Sequence, residues 1–125
     1  MANRLTEIVI DCTAPETLAA WWQGVLGWER GEDTNVTSDG EDEEVELRNP
    51  DGYPHLLFVK VPDAKTVKNR IHLDLSPTGG EQPEELERLL GLGARRVDIG
   101  QGEQTWVVLA DPEDNEFCLL RTRRD

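Results

Sequence analysis

The short run Arg70-Ile71-His72-Leu73-Asp74-Leu75 alternates polar and apolar side chains. Period-two alternation reads as a strand over 70–75, with Arg70, His72 and Asp74 on one face and Ile71, Leu73 and Leu75 on the other. A cation, an imidazole and a carboxylate on one face can orient a polar ligand or move a proton. A lone histidine between two leucines also suits a hydrogen-bonded structural role, and both readings stay open. Cys118 is a soft ligand or nucleophile by chemistry, yet a thiol in the apolar run Phe117-Cys118-Leu119 with no basic neighbour reads as inert core. Carboxylates Glu7 and Asp11 share the polar face of another alternating run, and Arg70 is the expected counter-charge for such groups. Trp106 and Trp28 are candidate walls for a planar or apolar ligand, while Trp21 and Trp22 read as core or subunit contact. His55 is read as structural or surface, its side chain opposite that of Leu56.

These residues sit on a unit written twice. A strand at 5–12 carries Ile8, Ile10 and Cys12 on its apolar face. Thr13-x-x-Glu16 then reads as a capping box with Pro15 in the first turn, opening a helix at 14–26 that stops at Gly27. A short strand near Trp28, an acidic loop from Gly31 to about Asp42, a strand at 43–48, the turn Asn49-Pro50-Asp51-Gly52 and a strand at 56–61 follow. After a polar connector at 62–69, the strand at 70–75 repeats the first. A helix at 81–92 ending at Gly93 and strands at 94–99, 104–110 and 115–121 complete the copy. Leu47-x-Asn49-Pro50-Asp51 matches Leu109-x-Asp111-Pro112-Glu113. The expected fold is α+β, one domain over 1–125 made of two βαβββ modules at about 5–61 and 70–123, packed by pseudo-two-fold symmetry.

Composition removes several functions. Of 125 residues, 13 are Lys or Arg and 26 are Asp or Glu, a net charge of −13. Nucleic acid is therefore not an expected partner. The absence of a long apolar run and of a basic, apolar leader predicts no membrane partner and a cytoplasmic protein. Two cysteines without CxxC spacing suit the same reducing compartment. No GxGxxG, P-loop, HExxH or Gly-x-Ser-x-Gly sequence occurs, which removes support for dinucleotide, nucleotide and serine-hydrolase chemistry. The acidic run Glu41 to Glu44 lacks the spacing of a calcium loop and reads as solvated.

Paired βαβββ modules resemble the vicinal oxygen chelate superfamily of glyoxalases, bleomycin-resistance proteins and extradiol dioxygenases. VPDAKTVKNRIHLDL at 61–75, VVLADPEDNEFCLL at 107–120 and AWWQGVLGW at 20–28 are similar to its bacterial glyoxalase-like branch. In metal-dependent members, one ligand near the start of each module's first strand and one in each last strand converge in a cup. The resemblance maps these positions onto Glu7, Leu56, His72 and Cys118, counting seven residues from Asn49 and from Asp111. Leucine cannot ligate, and Glu116 is displaced by two positions, about 6–7 Å along the strand. The resemblance thus implies a broken metal pattern, no cofactor, and a cup between the modules that binds a small organic molecule. Its expected lining is Glu7, Asp11, Arg70, His72, Asp74, Trp106 and Cys118. A metal-dependent lyase, isomerase or dioxygenase with an altered ligand set is the alternative, using Glu7 and His72 as ligands and Glu116 or Asp11 to move a proton. A non-catalytic oligomeric or drug-sequestering module is a third. Superfamily habit and strand edges in need of cover imply a homodimer, with the Trp21–Trp22 helix as a candidate contact.

Overall fold

A computed structural model describes residues 1–31, 35–36 and 42–125. The rest of the expected acidic loop lies outside the described residues. The chain forms two compact units, Met1–Ala64 and Lys65–Asp125.

In the first unit, β1 (Glu7–Cys12) is followed by α1 (Pro15–Leu26), β2 (Glu29–Arg30), β3 (Asn35–Val36), β4 (Asp42–Arg48) and β5 (His55–Lys60). The sheet order is β1-β5-β4-β2, with β3 also on β4. β1 runs parallel to β5, Glu7 opposite His55, and β4 is antiparallel to β5, Leu47 opposite Leu56. This register puts Ile8, Ile10, Val45, Leu47, Leu56 and Phe58 on one face. There α1 covers the sheet with Leu18, Ala19, Trp22 and Val25, whose spacing makes one apolar stripe. Trp22 is fully buried, and Trp21 meets it edge-on at 5.2 Å from the half-exposed side.

The helix start departs from the expected capping box. Ala14 is the N-cap and no side chain caps the helix. Pro15, which has no N–H to satisfy, fills the first turn instead, and Glu16 is drawn away by Arg30 of β2, its carboxylate 2.6 and 2.9 Å from the guanidinium nitrogens. At the other end Gly27 takes the left-handed conformation (φ 72°), and its N–H bonds to the Gln23 carbonyl at 2.8 Å.

The second unit repeats the order as β6 (Leu73–Leu75), α2 (Gln82–Gly91), β7 (Arg95–Arg96), β8 (Val107–Ala110) and β9 (Glu116–Leu119), with sheet order β6-β9-β8-β7. Again the outer strand is parallel to the last, Leu73 opposite Phe117. β6 is shorter than the expected 70–75. Its partner β9 begins at Glu116, so Arg70 and Ile71 extend past the start of the partner strand, and Ile71 is exposed. β7, β8 and β9 are likewise shorter than the alternation predicts. α2 buries only Leu89.

The matched turns are matched in hydrogen bonds. Asn49 Oδ1 accepts the Asp51 N–H at 2.9 Å, and Asp111 Oδ1 accepts the Glu113 N–H at 2.9 Å. Asp111 is completely buried and also takes the Asn115 N–H and side-chain amide. Among the described residues, no helix is long and apolar enough to cross a membrane.

Candidate functional site

Each sheet has one face under its helix and one without it. In the second unit, Leu73, Leu75, Phe117 and Leu119 share a face, and strand alternation sends Asp74, Glu116 and Cys118 to the other. His72 joins them, with its Nε2 3.2 Å from Asp74 Oδ1, so its ring lies on the polar side of the strand as expected. One ligand atom each from His72, Asp74 and Cys118 lie within 4.8 Å of one another. The imidazole and carboxylate are exposed, whereas Cys118 is buried. Burial pushes the Cys118 thiol up, the Asp74 charge and hydrogen bond push it further, and Lys68 opposes them. The group is a neutral thiol rather than a ready nucleophile.

Two residues from Cys118, the Glu116 carboxylate is nearly buried and held by Lys65 Nζ at 2.9 Å and by the Asn69 N–H at 3.2 Å. Burial disfavours its charge, but Lys65 and the backbone donors outweigh that and lower its pKa. The expected counter-charge was Arg70. Among the described residues it is Lys65 that pairs with a carboxylate of this face, and Arg70 is exposed. Asn69 Oδ1 beside this pair is buried with no hydrogen-bond partner. From sequence, Lys65, Lys68 and Arg70 read either as a group for an anionic ligand or as charges that neutralise an acidic surface, and Asn69 is not singled out. The signal that was available is Glu116 itself, a carboxylate in a strand otherwise apolar.

Trp106 precedes β8 and is about one third exposed. It lines an open hollow of about 420 Å³ with Val97, Gln101, Gln104 and Val108. Val108 lies opposite Cys118.

In the first unit, the face away from α1 carries Glu7, Val9 and Asp11, all exposed, beside His55, Leu57 and Val59. Glu46, buried, and Glu44 continue it. Leu56 is not on this face. Leu47 pairs with Leu56 whereas Leu109 pairs with Phe117, so the first hairpin holds one residue more than the second. Counting seven from Asn49 therefore lands on the helix side, and the position matching Cys118 is Leu57. It is equally unable to ligate. His55 is opposite to Leu56 as expected and structural, its Nδ1 accepting the Asn49 N–H at 2.9 Å and its ring 4.8 Å from Tyr53. Neither cysteine forms a disulfide, and Cys12 is buried under α1's face with its Sγ 3.6 Å from the Val59 carbonyl.

Duplicated βαβββ units with a parallel outer strand, each leaving one polar face, define the vicinal oxygen chelate class, and comparison with known proteins agrees. The chain belongs to the glyoxalase-like domain family, whose model matches residues 7–120. Its fold is similar to the fosfomycin resistance protein FosX of Listeria monocytogenes, in a structure complexed with Mn(II) and sulfate. The TM-score is 0.72 at 16% identity, over 95% of this chain and 92% of that one. A glyoxalase/bleomycin resistance protein/dioxygenase family enzyme from Burkholderia phytofirmans PsJN gives 0.67 at 17%, over 94% and 97%. FosX from Mesorhizobium loti gives 0.69 at 15%, over 96% and 92%. No curated protein matches the sequence. At these identities the likeness is one of fold.

Proposed function

We propose that this glyoxalase-like protein binds a small organic molecule on the polar face of its second sheet, without a transition metal. The carrying observation is the set of polar groups fixed on an otherwise apolar face. Glu116 is locked by Lys65 and Asn69, His72 is paired with Asp74, and Asn69 Oδ1 is a buried acceptor still without a donor. An orphaned acceptor costs about 1–3 kcal/mol. Against a metal stands Leu57 at the first module's last-strand position.

The test is thermal-shift screening of chelator-treated protein against a small-molecule library, then titration of hits into His72→Ala. The variant is expected to weaken binding about tenfold or more while losing under about 1 kcal/mol of stability, since His72 is exposed. Hits whose affinity is unchanged in the variant overturn the site.

A second reading rests on the donor set. His72, Asp74 and Cys118 offer nitrogen, oxygen and sulfur, three corners of a tetrahedral shell for a zinc-like ion. Such an ion would supply polarisation of a carbonyl oxygen, with His72 and Asp74 oriented by their own pairing. Stoichiometric metal in the purified protein, lost in both His72→Ala and Cys118→Ser, establishes this reading over the first.

We further propose a homodimer, because among the described residues β1 and β6 are each paired on one edge only, to be tested by light scattering. A cytoplasmic location suits two thiols that are not joined in a disulfide.

A further inference from the structure

Between β5 and β6 the chain forms neither helix nor strand, and among the described residues 65–71 make no backbone-to-backbone hydrogen bond. Five of these seven residues are exposed, Val67 and Ile71 to 72% and 78%. The two that are not, Lys65 and Asn69, end on one atom. Glu116 Oε2 takes the Lys65 ammonium at 2.9 Å and the Asn69 N–H at 3.2 Å. The other hydrogen bonds of the segment, Lys68 Nζ to the Asn69 carbonyl and Asn69 Nδ2 to the Ile71 carbonyl, stay within it. A run of seven residues is thus tied to the second sheet at a single carboxylate of β9.

Glu116 lies two residues from Cys118 on the face without a helix, yet Cys118 is only 4% exposed. Lys68, between the two tied residues, is close enough to offset part of the rise in the Cys118 pKa. Closure also carries an internal cost. Asn69 Oδ1 is buried without a donor, and it regains water when the segment lifts. A segment with one anchor and few buried contacts is the kind that opens without the rest of the fold.

We infer that residues 65–71 are a strap latched by Glu116 and poised to lift, and that lifting it bares Cys118 and opens the polar face of the second sheet. Entry of a small molecule beneath it rests on the binding face proposed above, whereas the strap does not.

Thiol labelling with iodoacetamide, followed by peptide mass spectrometry, tests it. Cys12, buried in the first unit, is the internal standard. Glu116→Ala and Lys65→Met should each raise the Cys118 labelling rate at least about fivefold and leave Cys12 within about twofold of the native rate. Loss of a negative charge favours the thiolate and loss of a positive one disfavours it, so acceleration in both variants reports exposure rather than charge. Amide exchange across β8 and β9 should match the native protein. A smaller rise at Cys118 in either variant, equal acceleration of Cys12, or faster exchange across β8 and β9 overturns the strap. If Cys118 responds as expected and library hits ignore His72→Ala, the strap stands and the binding face falls. If hits respond to His72→Ala and the Cys118 rate does not change, the face stands and the strap falls.

Discussion

The first sheet and the second share strand order, a parallel outer strand and an Asx turn before the last strand, yet differ in what each face carries. Under its helix, the first unit buries Leu18, Ala19, Trp22 and Val25 from α1, while the second buries only Leu89 from α2. On the open side, the first sheet shows Glu7, Val9, Asp11 and Leu57, a spread of acids over aliphatics. The second concentrates paired charges around Cys118. On the function proposed here, the repeat is a scaffold on which one copy supplies packing and the other would supply chemistry. Stability should thus depend more on the first helix, and ligand response on the second sheet.

The helices provide the widest separation. Trp22→Ala should cost about 3–5 kcal/mol by leaving a large void, and Leu89→Ala about 2–3 kcal/mol, measured by urea unfolding. Equal losses would remove the asymmetry between the units. The turns come next and run the other way. Asp111→Ala should cost about 3 kcal/mol, because three donors at a fully buried site lose their acceptor. Asn49→Ala, half-buried, should cost about 1 kcal/mol. The smallest effect is a pH dependence confined to the second unit. Glu116 has a folded pKa below its unfolded value, so its contribution is present above the ordinary carboxylate range and lost as pH falls through the folded value. The melting-temperature gap between the native protein and Glu116→Gln should therefore narrow from pH 6.5 to pH 3.5. A gap that is constant with pH assigns the acid response to other carboxylates.

Most of the fold was legible because it rests on local signals. Alternation marks β1, the Leu18–Trp22–Val25 spacing and Gly27 bound α1, and the paired Asn49 and Asp111 turns betray the duplication. Register was not legible. One additional residue in the first hairpin moves the count from Leu57 to Leu56 and turns a site position into a core one. Alternation alone also extended β6 back to Arg70, because it cannot tell where the partner strand begins. For the site, His72, Asp74 and Cys118 are brought together where β6 and the residue before it lie along β9. The Lys65–Glu116 link joins residues far apart in sequence and needed the folded connector to be seen.

The parallel outer strands also bear on the order in which the chain folds. Glu7 meets His55 and Leu73 meets Phe117 only after most of each unit lies between them, whereas β4 meets β5, and β8 meets β9, across a tight turn. Loop closure favours the hairpins as the earlier event and leaves β1 and β6 to dock late. A late-docking strand contributes little to the folding transition state. Ile10→Val should accelerate unfolding with a φ-value near zero, and Val45→Ala should slow folding. The reverse pattern would mean that each unit nucleates on its outermost strand. The residues that begin β1 and abut β6, Glu7 and His72 among them, are then the last to be put in place and the first released when the native state opens locally.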